Sequence, residues 1–392
     1  MNPSTPVTLH AHAVLTPEVE LMPGWVTIAE SVVTAVGQGH PPAGGHVVRL
    51  GGHLLVPGFV DLHVHGGDGA QVNDGTVDEV TRSVRRLAAH HARHGTTALL
   101  ATAVTGPPAE LRDIVRGIAA CQHHPRDGAR ILGSNLEGPW LSPLRAGAHD
   151  RRHLRLPDLA ELTTLIAAAP DTIRLVTIAP ELEGAMTFIR ELVDRGIVAS
   201  IGHTDADFAT TQAAFDAGAT HVTHLFNAMP GLHHRDPGPV AAALADERVT
   251  VELIADGIHV HSAVLGLVIG LAPKRLVAVT DAIAVTDAVS AHEGRVTVAD
   301  APGTLAGSVL TMDEAVANLV RSGASVQQAV TAATTTSARA IGAHSVGAIT
   351  VGRPADLAIL DPELRCSATI VGGRVVHDPE RLLQAALPQA IA

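Results

Sequence analysis

Side chains able to bind a metal or move a proton recur in this chain just after short apolar runs. His63 and His65 end LLVPGFVDLHVH, Glu137 follows ILGSNL, His203 follows VASIG, His224 follows HVT, and Asp281 follows LVAVT. Side chains alternate along an extended strand, so His63 and His65 share a face and can share one metal ion. Glu137 supplies a carboxylate able to bridge, and His203 and His224 can close a second site. Neutral imidazole and carboxylate ligands suit Zn²⁺, or Fe²⁺, Mn²⁺ and Co²⁺ where supply dictates. Such a metal lowers the pKa of its water toward neutrality. Asp281 then accepts that proton and hands it to a departing amine. The chain holds 24 His, so position rather than type carries this reading. His90, His91, His94, His123 and His124 fall in helices or loops away from strand ends and are assigned to packing or surface.

The elements that must position these groups are apolar strands alternating with Ala/Leu-rich helices. The strands are expected over Leu55–Val64, Thr97–Ala101, Ile131–Leu136, Ile173–Ile178, Val198–Gly202, His221–Phe226, Thr250–Ala255 and Leu276–Thr280. A helical stretch follows each, as VDEVTRSVRRLAAHHARHG follows the first. Repeated βα units of this kind predict an α/β fold, a (β/α)8 TIM barrel over residues 53–348, with its chemistry at the C-terminal strand ends. Residues 1–52 and 349–392 read instead as short strands and turns. Because barrel ends lie close together, they are expected to meet as one small discontinuous β-sandwich domain.

Composition narrows the function classes. The net charge of −12 argues against nucleic acid, which needs a basic footprint. An anionic substrate must therefore meet a local basic pocket. The two cysteines, Cys121 and Cys366, match no ligand or redox spacing and read as idle thiols in a reducing compartment. No signal peptide or membrane-spanning run is visible, so a soluble cytoplasmic protein is expected.

The motifs PGFVDLHVHG and GRPADLAILD resemble the amidohydrolase superfamily. LEGPW followed by GAH, SIGHTDA, THLFNAMPGLHHRDPG, ELIADGIHVH, VTDAI and LAGSVLTM resemble its N-acetylglucosamine-6-phosphate deacetylase family along essentially the whole chain. The resemblance implies hydrolysis of an N-acetylated amino-sugar phosphate to acetate and the free amine. It gives Glu137, His203 and His224 as the common metal ligands, His63 and His65 as the variable first site, and Asp281 as acid/base. One or two metals per subunit are expected. Superfamily members often bridge metals with a carboxylated lysine on the fourth strand, but IRLVTIAPE has none, and Lys274 is the only lysine.

The same resemblance places His149, beside Ala148, against the acetamido carbonyl. It places Asn227 and Ala228 against the sugar phosphate, Arg235 and His259 on the phosphate, and Leu305, Ala306 and Gly307 along the far side of the sugar. It also implies a homodimer in which Arg235 reaches the neighbouring active site. Segment 139–152, with Trp140, two prolines and Gly147, reads as a lid that brings His149 into place. The galacto epimer of the sugar phosphate, another amide such as that of a D-aminoacylase, and a non-catalytic barrel are the competing readings.

Overall fold

The computed structural model describes residues 6–43, 45–73, 75–122, 128–285, 289–292, 295–298, 303–383 and 387. Its central sheet is parallel and runs in chain order: β1 (Phe59–Val64), β2 (Thr96–Val104), β3 (Arg130–Glu137), β4 (Ile173–Ile178), β5 (Val198–Ile201), β6 (His221–Val222), β7 (Thr250–Ile254) and β8 (Leu276–Val279). Helices flank it and pack against its core, and β1 is buried at every position. The ring closes at its C-terminal rim. There the Asp281 N–H donates to the His63 carbonyl at 2.9 Å, and the His65 N–H donates to the Ala282 carbonyl at 2.9 Å. Lower down, Asp61 on β1 accepts the Thr280 hydroxyl at 2.6 Å. Burial pushes the Asp61 carboxyl up to about 7, against the opposing Thr280 hydrogen bond. This is the expected (β/α)8 barrel.

Two strands depart from expectation for identifiable reasons. Leu55–Val64 is not one strand: Leu54–Pro57 belongs to a separate sheet and β1 begins at Phe59. The break is Gly58, where an added Cβ would lie 2.1 Å from the Thr97 side chain. The sixth strand stops at Val222, because His224 and Phe226 take left-handed backbones, φ 24° and 80°, that no strand accommodates. Histidines 123 and 124 lie outside the described residues. His90, His91 and His94 sit on or just after helix Val77–Ala92.

The chain ends build two further sheets. One orders Val32–Gln38, Gly24–Ala29, Val7–Ala11 and His46–Arg49. The other orders Arg374–His377, Cys366–Val371, Leu357–Leu360, Leu54–Pro57, Ala13–Leu15 and Glu20–Leu21. Period-two alternation lets the second sheet serve two cores. Leu55, Leu357 and Ile359 face a cluster with Leu9, Val26 and Ile28 of the first sheet. Val56, Ala358 and Leu360 face the barrel's cluster. A polar clamp adds to this: Arg130 at the start of β3 donates twice to Asp356 of the GRPADLAILD motif, at 3.1 Å each. Among the described residues no helix is long and apolar enough to cross a membrane.

Candidate active site

Three of the site residues sit where the chain leaves its strand in a left-handed turn: His203 (φ 46°), His224 (φ 24°) and Asp281 (φ 49°). Such backbones are uncommon for residues with a Cβ and gather where function requires them. Here they turn side chains into the barrel mouth rather than along the strand. His63 and His65 reach the same mouth from the end of β1, and Glu137 from the end of β3.

These side chains form one buried cluster centred on Glu137. Its Oε1 lies 2.9 Å from the Nε2 of both His203 and His224, and its Oε2 lies 3.3 Å from His65 Nε2. Asp281 Oδ1 lies 3.2 Å from His65 Nε2 and 3.6 Å from His63 Nε2. Two ligand groups result, His63–His65–Asp281 and Glu137–His203–His224, each with its ligand atoms within 4.8 Å of one another.

The outer ring nitrogens decide what the inner ones can do. His63 Nδ1 faces Glu252 Oε2 at 3.2 Å, and His65 Nδ1 faces the Thr102 carbonyl at 3.1 Å. His203 Nδ1 faces the Arg145 carbonyl at 2.8 Å. Carboxylate and carbonyl oxygens only accept, so each Nδ1 carries the proton and each Nε2 keeps its lone pair. The Nε2 atoms of His63 and His65 are 3.1 Å apart. Two lone pairs at that distance repel unless a cation lies between them, so the donor set fits a divalent metal.

The electrostatics make the same demand. Burial would raise the Glu137 carboxyl, but the imidazoles of His63, His149 and His203 hold it well below the usual carboxylate range. Burial would lower the His65 pKa, but the Asp281 and Glu137 carboxylates facing its Nε2 raise it to about 9, because they draw a proton to that nitrogen wherever no metal ion takes its place. Two ionised carboxylates in a dry pocket thus call for positive charge, which a divalent cation supplies.

Around this cluster stand the residues expected to meet substrate. His149 Nδ1 accepts the Thr105 N–H at 3.3 Å, so its Nε2 carries the proton, and that Nε2 lies 3.2 Å from Glu137 Oε2. Burial, ahead of the opposing pull of Glu137, lowers the pKa of His149 and keeps the ring neutral. The neighbouring Ala148 is exposed, and a Cβ on Gly147 would fall 3.1 Å from the His203 ring and 4.0 Å from Ala228. Ala228, itself left-handed, accepts the Thr204 N–H, and Asn227 donates through its N–H to the His224 carbonyl at 2.9 Å. Ser308 N–H donates to the Asp281 carbonyl, which brings Leu305, Ala306 and Gly307 alongside the acid/base candidate. Gly307 has φ 92°, and a Cβ there would meet the Asp281 carbonyl at 2.8 Å.

The two anion-binding candidates are not brought together. His259 Nδ1 donates to Asp256 Oδ2 at 2.6 Å in a buried pair. Arg235 is on an exposed loop, beside His234 at 2.9 Å.

Within segment 139–152, Trp140 is not a lid residue. Trp140 is fully buried, its ring centroid 4.4 Å from that of Phe188, and its carbonyl accepts the Ala179 N–H at 3.0 Å. An aromatic so packed is core. Farther along, Ser142 N–H donates to the His203 carbonyl at 2.9 Å, so the segment is stitched to a ligand it walls. Trp140→Ala should therefore lower stability by about 3–5 kcal/mol, the usual range for emptying a large aromatic site. Denaturant unfolding checks this, and a loss under about 1 kcal/mol would return Trp140 to the surface class.

Sequence reasoning missed the residues that hold the ligands. Glu252, His221 and Asp256 act behind the cluster, and the only signals were a charged residue within the strand TVELI and an Asp three residues before His259. His91 is another. Its pKa falls to about 4 by burial, so the ring is neutral, and its Nε2 donates to the Gly66 carbonyl beside His65 at 2.9 Å.

Comparison with known proteins agrees with this architecture. Residues 54–376 match the amidohydrolase family. The chain is 38% identical over 381 residues to an N-acetylgalactosamine-6-phosphate deacetylase of Escherichia coli O157:H7, covering 94% of this chain and 98% of that one. It is 36% identical to an N-acetylglucosamine-6-phosphate deacetylase of Vibrio furnissii, covering 87% and 86% of the two chains. The solved N-acetyl-D-glucosamine-6-phosphate deacetylase of Mycobacterium smegmatis superposes with a TM-score of 0.88 at 41% identity, over 94% of this chain and all of that one, 100%. With the barrel, the ligand cluster and these matches in agreement, the chain belongs to the amidohydrolase family.

Proposed function

We propose that the chain hydrolyses N-acetyl-D-glucosamine 6-phosphate to D-glucosamine 6-phosphate and acetate. The observation that carries this is the convergence on Glu137 of metal-ligand lone pairs and one N–H donor: His203 and His224 at 2.9 Å, His65 at 3.3 Å and His149 at 3.2 Å. Relatives with this activity are 34–36% identical, and a mutant form of the M. smegmatis deacetylase was solved in complex with N-acetyl-D-glucosamine-6-phosphate.

Glu137, His203 and His224 would hold one divalent ion, and His63 and His65 a second. Zinc is the first choice, with iron, manganese or cobalt as alternatives. When bound, the metal acidifies water and polarises the amide carbonyl. Asp281 takes the water's proton and returns it to the nitrogen as the C–N bond breaks, so water is added across the amide. His149 donates its Nε2–H to the carbonyl oxygen as negative charge grows there. His259 and Arg235 grip the phosphate, and Ala148, Asn227, Ala228, Leu305, Ala306 and Gly307 border the sugar. The exposure of Arg235 suits a homodimer in which it serves the neighbouring subunit. Two free, widely spaced cysteines suit a cytoplasmic setting.

A second reading, the galacto epimer, is favoured by the 38% identical E. coli relative. Acetate release from both 6-phosphates and from N-acetylglucosamine, after metal removal and restoration, tests the assignment. Metal-restored turnover of the gluco phosphate is expected. Equal turnover without phosphate, or none with metal present, would overturn it.

The phosphate grip has a pH signature. Burial lowers the pKa of His259, but the hydrogen bond to Asp256 outweighs it and the net shift is upward. The imidazolium therefore persists above its ordinary range, and phosphate affinity is lost as pH rises through the raised pKa. Asp256→Asn should move that loss to lower pH and raise KM roughly ten- to hundredfold near neutrality, the worth of one charged hydrogen bond. KM profiles across pH for phosphorylated and unphosphorylated sugar check it. A penalty equal for both would mean that His259 does not bind phosphate.

A further inference from the structure

Strand β7 carries Glu252 inside the barrel, fully buried. Three donors converge on it. His63 donates from Nδ1 to Oε2 at 3.2 Å, His221 donates from Nε2 to Oε1 at 2.9 Å, and the His224 N–H donates to Oε2 at 3.2 Å. His221 is fixed in turn by its other nitrogen. With the ring proton on Nε2, its Nδ1 accepts from the Thr250 hydroxyl at 2.5 Å, beside the Thr220 carbonyl. His221 and Glu252 thus form a closed, dry pair with one face left for His63.

We propose that Glu252, clamped by His221, is a positioning residue that decides whether the His63–His65–Asp281 group takes up a metal ion. Its effect is local to that group. A carboxylate accepting at Nδ1 does two things to an imidazole: it fixes the proton on the outer nitrogen, and it makes the inner nitrogen a stronger ligand. His65 and His203 have only neutral carbonyls in that role, from Thr102 and Arg145. Among the histidines of the two ligand groups, His63 is the one whose outer nitrogen is seen to face a carboxylate. The link to the second group is confined to the His224 backbone N–H, which any acceptor at that position satisfies. His224 Nδ1 itself is buried without a partner. Loss of the Glu252 charge should therefore be felt at His63 far more than at His224.

The inference rests on the reading of both groups as metal sites, and its test uses no substrate, so a wrong substrate assignment leaves it standing. Metal-free wild type, Glu252→Gln and Glu252→Met are titrated with Zn²⁺ against a chromophoric chelator, with thermal melting of each metal-free chain as the folding check. Wild type should bind two equivalents. Glu252→Gln should bind the first as wild type does and the second about 10–100-fold more weakly. Glu252→Met, which leaves no acceptor, should lose the second equivalent altogether. If the Met variant does not fold, the Gln variant alone decides. Two equivalents of wild-type affinity in Glu252→Gln, equal weakening of both, or a single equivalent in wild type would each overturn the proposal.

Discussion

Asp281→Asn should lower kcat by about 10²–10⁴-fold, the contribution of a positioned general acid–base group. The substitution keeps the shape but removes the ability to hold and return a proton, and with it one anionic ligand of the His63–His65–Asp281 group. Backbone contacts fix the position whichever side chain is present: the Asp281 N–H donates to His63, and its carbonyl accepts from Ser308. The fold and the Glu137–His203–His224 group should therefore survive. The wild-type carboxyl is held below its ordinary range, because the His63 and His65 imidazoles facing it outweigh the burial that would raise it. Its folded pKa is depressed, so wild-type turnover falls as pH falls through that value, and the acid limb should vanish in the variant. Acetate release across pH, with metal content measured in parallel, checks both features. A kcat within about threefold of wild type would remove Asp281 from the proton path.

The barrel was legible because parallel strands buried on both faces must read as continuous apolar runs, and those runs recur between amphipathic helices. Its ligands were legible because they end such runs. Where the reading slipped, long-range packing had overridden a local pattern. LLVPGFVDLHV looks like one strand, but Thr97 leaves no room for a side chain at residue 58, and the chain changes sheet there. HVTHLF looks like a strand, yet delivering His224 to Glu137 takes a left-handed turn that ends it.

Trp140 shows the opposite error. Prolines, glycine and charge around it make a loop, and nothing local says that its ring meets Phe188 on the helix Ala185–Asp194. The supporting residues were hidden for a related reason. Glu252 and His63 are 189 positions apart, and only the closed barrel puts them 3.2 Å from each other. Sequence spacing finds residues that act at strand ends. It does not find those that act through another side chain inside the barrel.

Glu137→Gln should have the other large effect, of a different kind from Asp281→Asn. Each Glu137 oxygen is committed: Oε1 to the Nε2 atoms of His203 and His224 at 2.9 Å, Oε2 to His149 at 3.2 Å and His65 at 3.3 Å. An amide retains one acceptor and replaces the other with an NH₂ that binds no metal. If the NH₂ faces His203 and His224, the ligand set of their group falls to two imidazoles. If it faces His149, that ring's N–H confronts another donor. Removing one charge from a buried charged cluster costs about 3–5 kcal/mol, which is roughly 10²–10⁴-fold in metal affinity. Activity at trace metal should therefore drop below detection and recover in part when metal is added in excess. Asp281→Asn should not recover, because excess metal can refill the His63–His65–Asp281 group but cannot restore proton transfer. Acetate release against added Zn²⁺ separates the two. Glu137→Gln turnover that stays flat as metal rises, with the ion shown to be bound, would make Glu137 a proton carrier and leave the His residues as the metal's main hold.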